Sequence, residues 1–577
     1  MAIAADYIID YLISRGVKRS YGYPGSLAGF IMDALRKRSS QISNRLLYTE
    51  QACGFAAIGD TLVSGAPALC WATSGPGATN LVTPIANAWL DSVPVIFLTA
   101  NVHTADSREK LGCAALRQNG NQELDIVSIA RSITKFAARI DDATKIRETL
   151  DLAWEAATSA RKGPALIDLP IDVSKSEIND LERSLASRAP LAANASGALS
   201  AIDEAIVNAE NPVIVAGGGI RSANVKASFI AWLAKTQERK PALKAVTTLR
   251  GKDLLATNDP LNMGVIGVWG NEKANEAVKN ADLIVAIGSR LANRQLAPFG
   301  GALSCKVIRV DIDEAEFARR VTQGEAIDVV ADLGDLFGAS VAKPPKRVVV
   351  SDVGQNMWRV GREFAIESGD RALFSAGLGA MGFSLCAAIG AHYAAPNAEI
   401  IAVCGDGGLQ MSVEELHFIA ANRVPIAVIA LNNNALGLIR AFQERNFGGE
   451  HFCTTAKSGY ASPDWEALAK AYGADYYRFD ALTDRVDRSA DSAIDGVNDR
   501  DAGNRRFNVS SNRVVEEGAG GGSSRAFNGA SDRDAYRLSN GASAEVEIRA
   551  LIDLASRLRK TSASAFIIEA KVKPVYP

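Results

Sequence analysis

The residues with the plainest chemical purpose lie in Ile401-Ala-Val-Cys-Gly405-Asp406-Gly407-Gly408, an apolar run that ends in Gly-Asp-Gly, and in Asn432-Asn433, which follow a second apolar run over 426–431. Glycines let a backbone come close to a diphosphate, and the Asp406 carboxylate and Asn433 carboxamide supply the oxygen ligands that a magnesium ion prefers. A lone Gly-Asp-Gly is more often only a turn. Strand, Gly-Asp-Gly, helix, strand and Asn-Asn in that order form a much narrower pattern. A second candidate is Glu50 in Leu46-Leu47-Tyr48-Thr49-Glu50, read as the end of an apolar strand just before a small-residue helix over 52–63. Alone, a carboxylate there is a favourable helix N-terminal charge worth ~0.3–1 kcal/mol. In a buried apolar setting it is also suited to sharing a proton with a ligand. A third is Gly217-Gly218-Gly219 after the apolar run 212–216. Such a turn suits a nucleotide's phosphates but is common without one.

These residues need a scaffold. Short apolar runs alternate with helical patterns nearly from end to end, with strands predicted over 67–73 and 93–99 and helices over 28–36 and 52–63. That alternation predicts an α/β protein with parallel sheets. In open sheets of this kind ligands bind beyond the carboxyl ends of the strands, where Asp406 and Asn433 are expected to stand. With 577 residues the chain has room for about three or four domains. We read three doubly wound parallel-sheet domains, over 1–180, 190–343 and 347–577, separated by the polar stretch 174–190 and by Lys343-Pro344-Pro345. Residues 485–544 are rich in Asp, Arg, Asn, Ser and Gly, and that composition predicts a low-complexity, disordered insertion. Periodicity resumes over 546–558 and a final strand is expected over 563–568, so the third core continues across the interruption.

Composition excludes several classes of partner. Hydrophobic residues are 47% of the chain, and 63 basic residues nearly balance 65 acidic ones, which leaves no electrostatic footprint for nucleic acid or an anionic membrane. A small-molecule substrate is the expectation. Seven cysteines are scattered without a Cys-x-x-Cys pair, the first 17 residues do not resemble a secretory signal, and no run approaches the roughly 20 apolar residues of a membrane span. A cytoplasmic protein with reduced thiols is expected.

The Gly-Asp-Gly and Asn-Asn pattern resembles that of the thiamine-diphosphate enzymes. The resemblance implies Mg2+ held by Asp406, Asn433 and the backbone carbonyl of Ala435, and a diphosphate on the loops at Gly407-Gly408 and Leu436-Gly437. It makes Met381 the bulky residue that bends the cofactor, and Glu50 the partner of its pyrimidine, favouring the imino form that deprotonates the thiazolium C2. It also implies a homodimer at minimum, with a tetramer open, in which Glu50 and Asp406 meet across a two-fold interface. Within that family the chain is similar to acetolactate synthase large subunits, through Tyr21-Gly-Tyr23-Pro24-Gly25, Thr73-Ser-Gly-Pro-Gly-Ala-Thr-Asn80, Gln122-Glu123, Ile133-Thr-Lys135, Asp352-Val-Gly-Gln355 and Gly405-Asp-Gly-Gly-Leu-Gln-Met411. The likeness covers nearly the whole chain except the insertion. It places Gln122 near the cofactor and Lys135 on the substrate-access side, and implies decarboxylation of pyruvate with transfer of the two-carbon unit to a 2-keto acid. It leaves a regulatory subunit open.

In the middle domain Gly217, Gly218, Thr248, Leu249, Arg290, Arg294, Asp311 and Asp332 look like the family's stretches that bind FAD, there as a structural group. The chain also departs from the family's pattern. Ser26-Leu27 replaces Gly-Ala, Asn121 a Phe, Phe442 a Trp, Thr49 a His and Asn101 a Gln. Ser26, Asn121 and Phe442 would line the acceptor pocket. A pocket that gains polar groups and loses an aromatic wall favours a more hydroxylated acceptor, so transfer to a nucleotide-linked keto sugar in polysaccharide biosynthesis is the alternative. A simple 2-keto acid decarboxylase or a flavin-linked oxidase on the same scaffold stays open.

Overall fold

The computed structural model describes residues 2–113, 115–178, 195–340, 343–480, 505–510, 513–518, 525–527, 548–561 and 564–572. They group into two compact units: Met1–Pro345 with Ile366–Leu378 and Tyr393–Ala395, and Lys346–Ala365 with Gly379–His392 and Pro396–Pro577.

The first unit holds two parallel sheets. In one the strand order is Ser43–Arg45, Arg19–Gly22, Leu69–Ala72, Ile96–Asn101, Ala165–Pro170, Phe136–Arg139, every pairing parallel. In the other it is Asn262–Val265, Lys244–Thr247, Pro212–Ala216, Leu283–Ile287, Lys306–Asp311, Ala326–Val330, again parallel. In this second sheet the first strand is central and the chain winds outward to both sides, the doubly wound order of dinucleotide-binding folds. Helices cover both faces, and so Pro212–Ala216 and Leu283–Ile287 are buried along their whole length and read as unbroken apolar runs. The predicted helices over 28–36 and 52–63 appear as Gly29–Lys37 and Glu50–Ser64.

A buried ion cluster ties distant segments of this unit together. Asp253 is 2% exposed and accepts from Arg221 Nε at 3.1 Å and Arg371 Nε at 2.7 Å, while its backbone carbonyl takes the Lys226 ammonium at 2.7 Å. Arg371 also donates to the Leu62 carbonyl at 2.8 Å. Removing the carboxylate leaves the half-buried Arg221 and Arg371 guanidinium groups without their shared partner, beside the Lys226 ammonium. Asp253→Ala is therefore expected to cost about 3–5 kcal/mol, read as a lower midpoint in urea denaturation. A midpoint equal to that of the unaltered protein would show that the cluster adds nothing to stability.

The second unit is built on the parallel strands Arg347–Ser351, Glu399–Gly405, Ile426–Asn432, Phe566–Lys571 and Asp475–Asp480, adjacent in that order. The last strand of the chain thus inserts between two that precede residues 485–544, and the core continues across that span as expected. The span also carries more structure than its composition predicts. Strand Arg505–Ser510 pairs in parallel with Asp475–Asp480 and antiparallel with Arg513–Gly518, which pairs with Arg525–Phe527. Phe507, Val509, Val514, Val515 and Phe527 supply the β propensity that the overall polarity masks. The rest of the expected insertion, and most of the expected linker over 174–190, lie outside the described residues. Among the described residues no helix is long and apolar enough to cross a membrane.

Candidate active site

In the second unit, strand Glu399–Gly405 delivers Asp406 directly into the first turn of helix Asp406–Gln410. Asp406 is 2% exposed, and its Oδ2 meets no hydrogen-bond partner among the described residues. Burial pushes its carboxyl up to about 6, held lower than burial alone would place it by the Tyr460 hydroxyl and by backbone N–H groups including that of Ala435. An orphaned carboxylate oxygen in a buried place is costly unless something absent from the chain satisfies it, and a divalent cation does so with the hard oxygen donor it prefers. Among the described residues no three His, Cys, Asp or Glu side chains gather as a metal cluster. A site with one carboxylate, one carboxamide and a carbonyl is of a different kind.

The neighbouring strand Ile426–Asn432 ends in a tight turn, with Asn434 in the left-handed region at φ 51°. There Asn433 Oδ1 accepts from the Ala435 N–H at 3.0 Å, and Asn433 Nδ2 donates to Gln355 Oε1 at 3.3 Å. The glycines explain themselves by what a methyl group would strike. At Gly407 it would lie 2.8 Å from Leu436 Cδ2, 3.2 Å from Met381 Cε and 3.3 Å from the Tyr460 hydroxyl. At Gly408 it would meet Asp352 Oδ2 at 2.0 Å, and at Gly437 it would meet Asn433 Nδ2 at 2.7 Å and Gln355 Oε1 at 2.8 Å. Gly405 backs onto Asn356. The unit thus brings Gln355, Met381, Gly405, Asp406, Gly407, Gly408, Asn433, Ala435, Leu436 and Gly437 into one cradle. Asp352 braces it: buried, and pushed up to about 7 by that burial, it accepts from the Gly382 and Phe383 N–H groups at 3.0 and 3.2 Å and so fixes the loop after Met381.

In the first unit Glu50 opens helix Glu50–Ser64, and Thr49 caps that helix by accepting from the Ala52 N–H at 3.1 Å. The strand expected to lead into it is shorter and earlier, Ser43–Arg45. Of the apolar residues that suggested a strand up to Thr49, only Leu47 is buried, while Leu46 and Tyr48 are exposed. Glu50 itself is buried, with Oε2 accepting from Asn80 Nδ2 at 2.9 Å and Oε1 3.0 Å from where a Gly77 methyl would stand. Beside it the hydroxyls of Thr73 and Ser74 are buried without a partner among the described residues. Gly25 abuts Thr73, and Gly75 abuts Gln122, a non-glycine residue at φ 64°. A carboxylate, two orphaned hydroxyls and glycine-lined approach fit the edge of a polar heterocycle. Tyr23, Pro24, Ser26 and Asn121 are exposed nearby in sequence.

Three models of known families cover most of the chain in order: the N-terminal TPP binding domain of thiamine pyrophosphate enzymes over residues 3–129, their central domain over 199–339 and their C-terminal TPP binding domain over 352–499. A probable acetolactate synthase large subunit of Methanocaldococcus jannaschii is 33% identical, the match covering 81% of this chain and 86% of that one. The chain belongs to the thiamine pyrophosphate enzymes. The large subunit of acetolactate synthase isozyme 2 of Escherichia coli is 30% identical over 81% of this chain and 89% of its own, and the chloroplastic acetolactate synthase of Arabidopsis thaliana 32% over 76% and 71%. The matched domains carry both clusters described above, and the parallel α/β architecture is that of the family.

Other expected positions of this thiamine pyrophosphate enzyme have local duties. Lys135 donates to the carbonyls of Ser159 and Arg161 at 3.1 and 2.8 Å, tying down the turn before strand Ala165–Pro170. Asn101 binds the Leu124 carbonyl at 3.0 Å and the buried Asp168 at 2.7 Å, and so braces the loop that carries Gln122. Phe442, on helix Gly437–Asn446, is 54% exposed and packs edge-on against Phe447. In the central sheet Gly217 closes on the Gly288 carbonyl, and Gly218 on Arg250. Thr248 and Leu249 follow strand Lys244–Thr247 there, and Arg250 and Arg290 both bear on buried Asp91. Two guanidinium groups at the edge where the strand order reverses fit a dinucleotide's diphosphate. Arg294 instead stacks over Trp269 at 4.6 Å, Asp311 accepts from the Asp313 N–H, and Asp332 caps helix Leu333–Phe337. Tyr460 lies in no motif quoted above, and Asn80 and Asp352, although each stands at the end of one, were assigned no role from the sequence.

Proposed function

We propose that the chain is a thiamine-diphosphate- and Mg2+-dependent carboligase of acetolactate synthase type. It would release CO2 from pyruvate and join the remaining two-carbon unit to the carbonyl of a second 2-keto acid. The observation that carries this reading is the orphaned Asp406 Oδ2 beside the Asn433 turn, in a chain so similar to acetolactate synthase large subunits. Asp406, Asn433 and the Ala435 carbonyl would hold Mg2+, and the backbone of Gly407, Gly408 and Gly437 would leave room for a diphosphate. When bound, thiamine diphosphate supplies the carbanion chemistry. Glu50 would exchange a proton with a ring nitrogen of the cofactor, with Asn80 holding its other oxygen, and Met381 would pack against the cofactor. Gln122, over Gly75, faces the substrate. FAD in the central sheet is a structural group on this reading, and the working assembly is a homodimer.

Ser26 and Asn121, both polar and exposed, support a second acceptor class, the carbonyl of a nucleotide-linked keto sugar. Incubation with [13C]pyruvate alone, with 2-ketobutyrate and with such a sugar, read by mass spectrometry, separates the readings. A labelled 2-hydroxy-2-alkyl keto acid is expected. Labelled acetaldehyde alone would mean a plain decarboxylase, and anaerobic bleaching of bound flavin by pyruvate an oxidase.

A further inference from the structure

The turn that presents Asn433 is held from behind by a group lying beyond the matched C-terminal domain, which ends at residue 499. Strand Phe566–Lys571 runs beside Ile426–Asn432, with Lys571 in register with Asn432. Glu569 on that strand is 4% exposed. Its Oε1 accepts from Asn432 Nδ2 at 2.6 Å and lies 2.6 Å from Lys571 Nζ, and its Oε2 accepts from the Tyr476 hydroxyl. With its amide nitrogen committed in this way, Asn432 must turn its Oδ1 forward, where it accepts from the Asn434 N–H at 2.9 Å. That bond holds Asn434 in its left-handed conformation, and Asn434 Oδ1 in turn accepts from the Ser462 N–H at 2.9 Å, two residues beyond Tyr460. One carboxylate thereby orders both the Asn433 turn and the segment that brings a hydroxyl to Asp406.

We propose that Glu569 is a positioning residue for the metal site, acting through Asn432 on the turn that carries Asn433 and Ala435. The inference rests on reading Asp406, Asn433 and Ala435 as the ligands of the cation. Groups behind a ligand shell typically change metal affinity by about 10–100-fold when removed. Glutamine at 569 keeps the shape but replaces the charge-assisted bond to Asn432 by a weaker neutral one and removes the counter-charge of Lys571, so that the anchor of Asn432 is loosened.

The test uses the full-length protein with saturating thiamine diphosphate and titrates Mn2+, following the free-ion signal by electron paramagnetic resonance. Glu569→Gln is expected to raise the Mn2+ dissociation constant about tenfold or more, and turnover is expected to recover at high metal concentration. A merely structural role would leave the constant of the folded fraction unchanged and give turnover that metal does not restore, and that result overturns the proposal. Asn432→Ala breaks the same link from the other side and is expected to give the same shift, which keeps the test decisive if Glu569→Gln does not fold. Tyr476→Phe, which spares the bond to Asn432, is expected to change the constant less than threefold; a loss equal to that of Glu569→Gln would refute a path through Asn432. Asp406→Ala is the control for the underlying reading: if it leaves Mn2+ binding intact the metal site itself is misassigned, whereas weak binding there beside normal binding in Glu569→Gln overturns only the role of Glu569.

Discussion

Glu50→Gln is expected to slow turnover by about 100-fold to 10,000-fold, the range typical of losing a positioned proton-transfer group, while the protein stays folded and binds thiamine diphosphate. The substitution preserves volume, and Asn80 still finds an acceptor in the glutamine carbonyl oxygen, so the bond at 2.9 Å can persist. What is lost is the ability of Oε1, on the open side by Gly77, to take and return a proton. The decisive measurement is the rate of exchange of the cofactor's C2 hydrogen with deuterated water, by quenched NMR, beside steady-state turnover. Both should fall together. Turnover close to that of the unaltered enzyme would remove Glu50 from the proton path, and Thr73 and Ser74, whose buried hydroxyls have no partner among the described residues, would become the groups to test.

What could be read from sequence and what could not follow the distance over which each feature is encoded. The places of Asp406 and Asn433 at the carboxyl ends of neighbouring strands were legible because each strand and the polar residue after it lie within a few positions, and because short unbroken apolar runs suit strands buried on both faces. The three parallel sheets followed from the same alternation. The approach to Glu50 was misread because Leu46 and Tyr48 look like strand residues but are exposed, and only tertiary packing decides that. The short strands at 505–510, 513–518 and 525–527 escaped because the polar residues around them dominate any average. Lys135 carried a family role in the sequence, yet its ammonium is spent on the Ser159 and Arg161 carbonyls, a fact set by a turn 24 residues away. Glu569 lay deepest, since Asn432 is 137 positions from it in the chain and meets it only through strand register.

Asp406→Ala should abolish metal-dependent retention of thiamine diphosphate, which calorimetric titration of the cofactor with and without Mg2+ would show. In the unaltered protein Mg2+ is expected to tighten binding by about 100-fold or more, since a cation bridging protein carboxylate and diphosphate is counted in neither partner alone. In the variant the two titrations should coincide at the weak value. The size of the effect follows from the geometry: the carboxylate is 2% exposed, one of its oxygens has no partner among the described residues, and burial already pushes it towards the neutral form. A site arranged in this way is poor for folding and good only for a positive charge, so removing the side chain sacrifices the cation without breaking a structural contact of Oδ2. Removal also takes the acceptor from the Tyr460 hydroxyl and the Ala435 N–H, so relief of the unsatisfied oxygen is offset and stability in the absence of metal should change by no more than about 1–2 kcal/mol. A marked loss of stability there, together with cofactor binding that is tight and indifferent to Mg2+ in both proteins, would mean that Asp406 serves the fold and that the diphosphate is held by other groups.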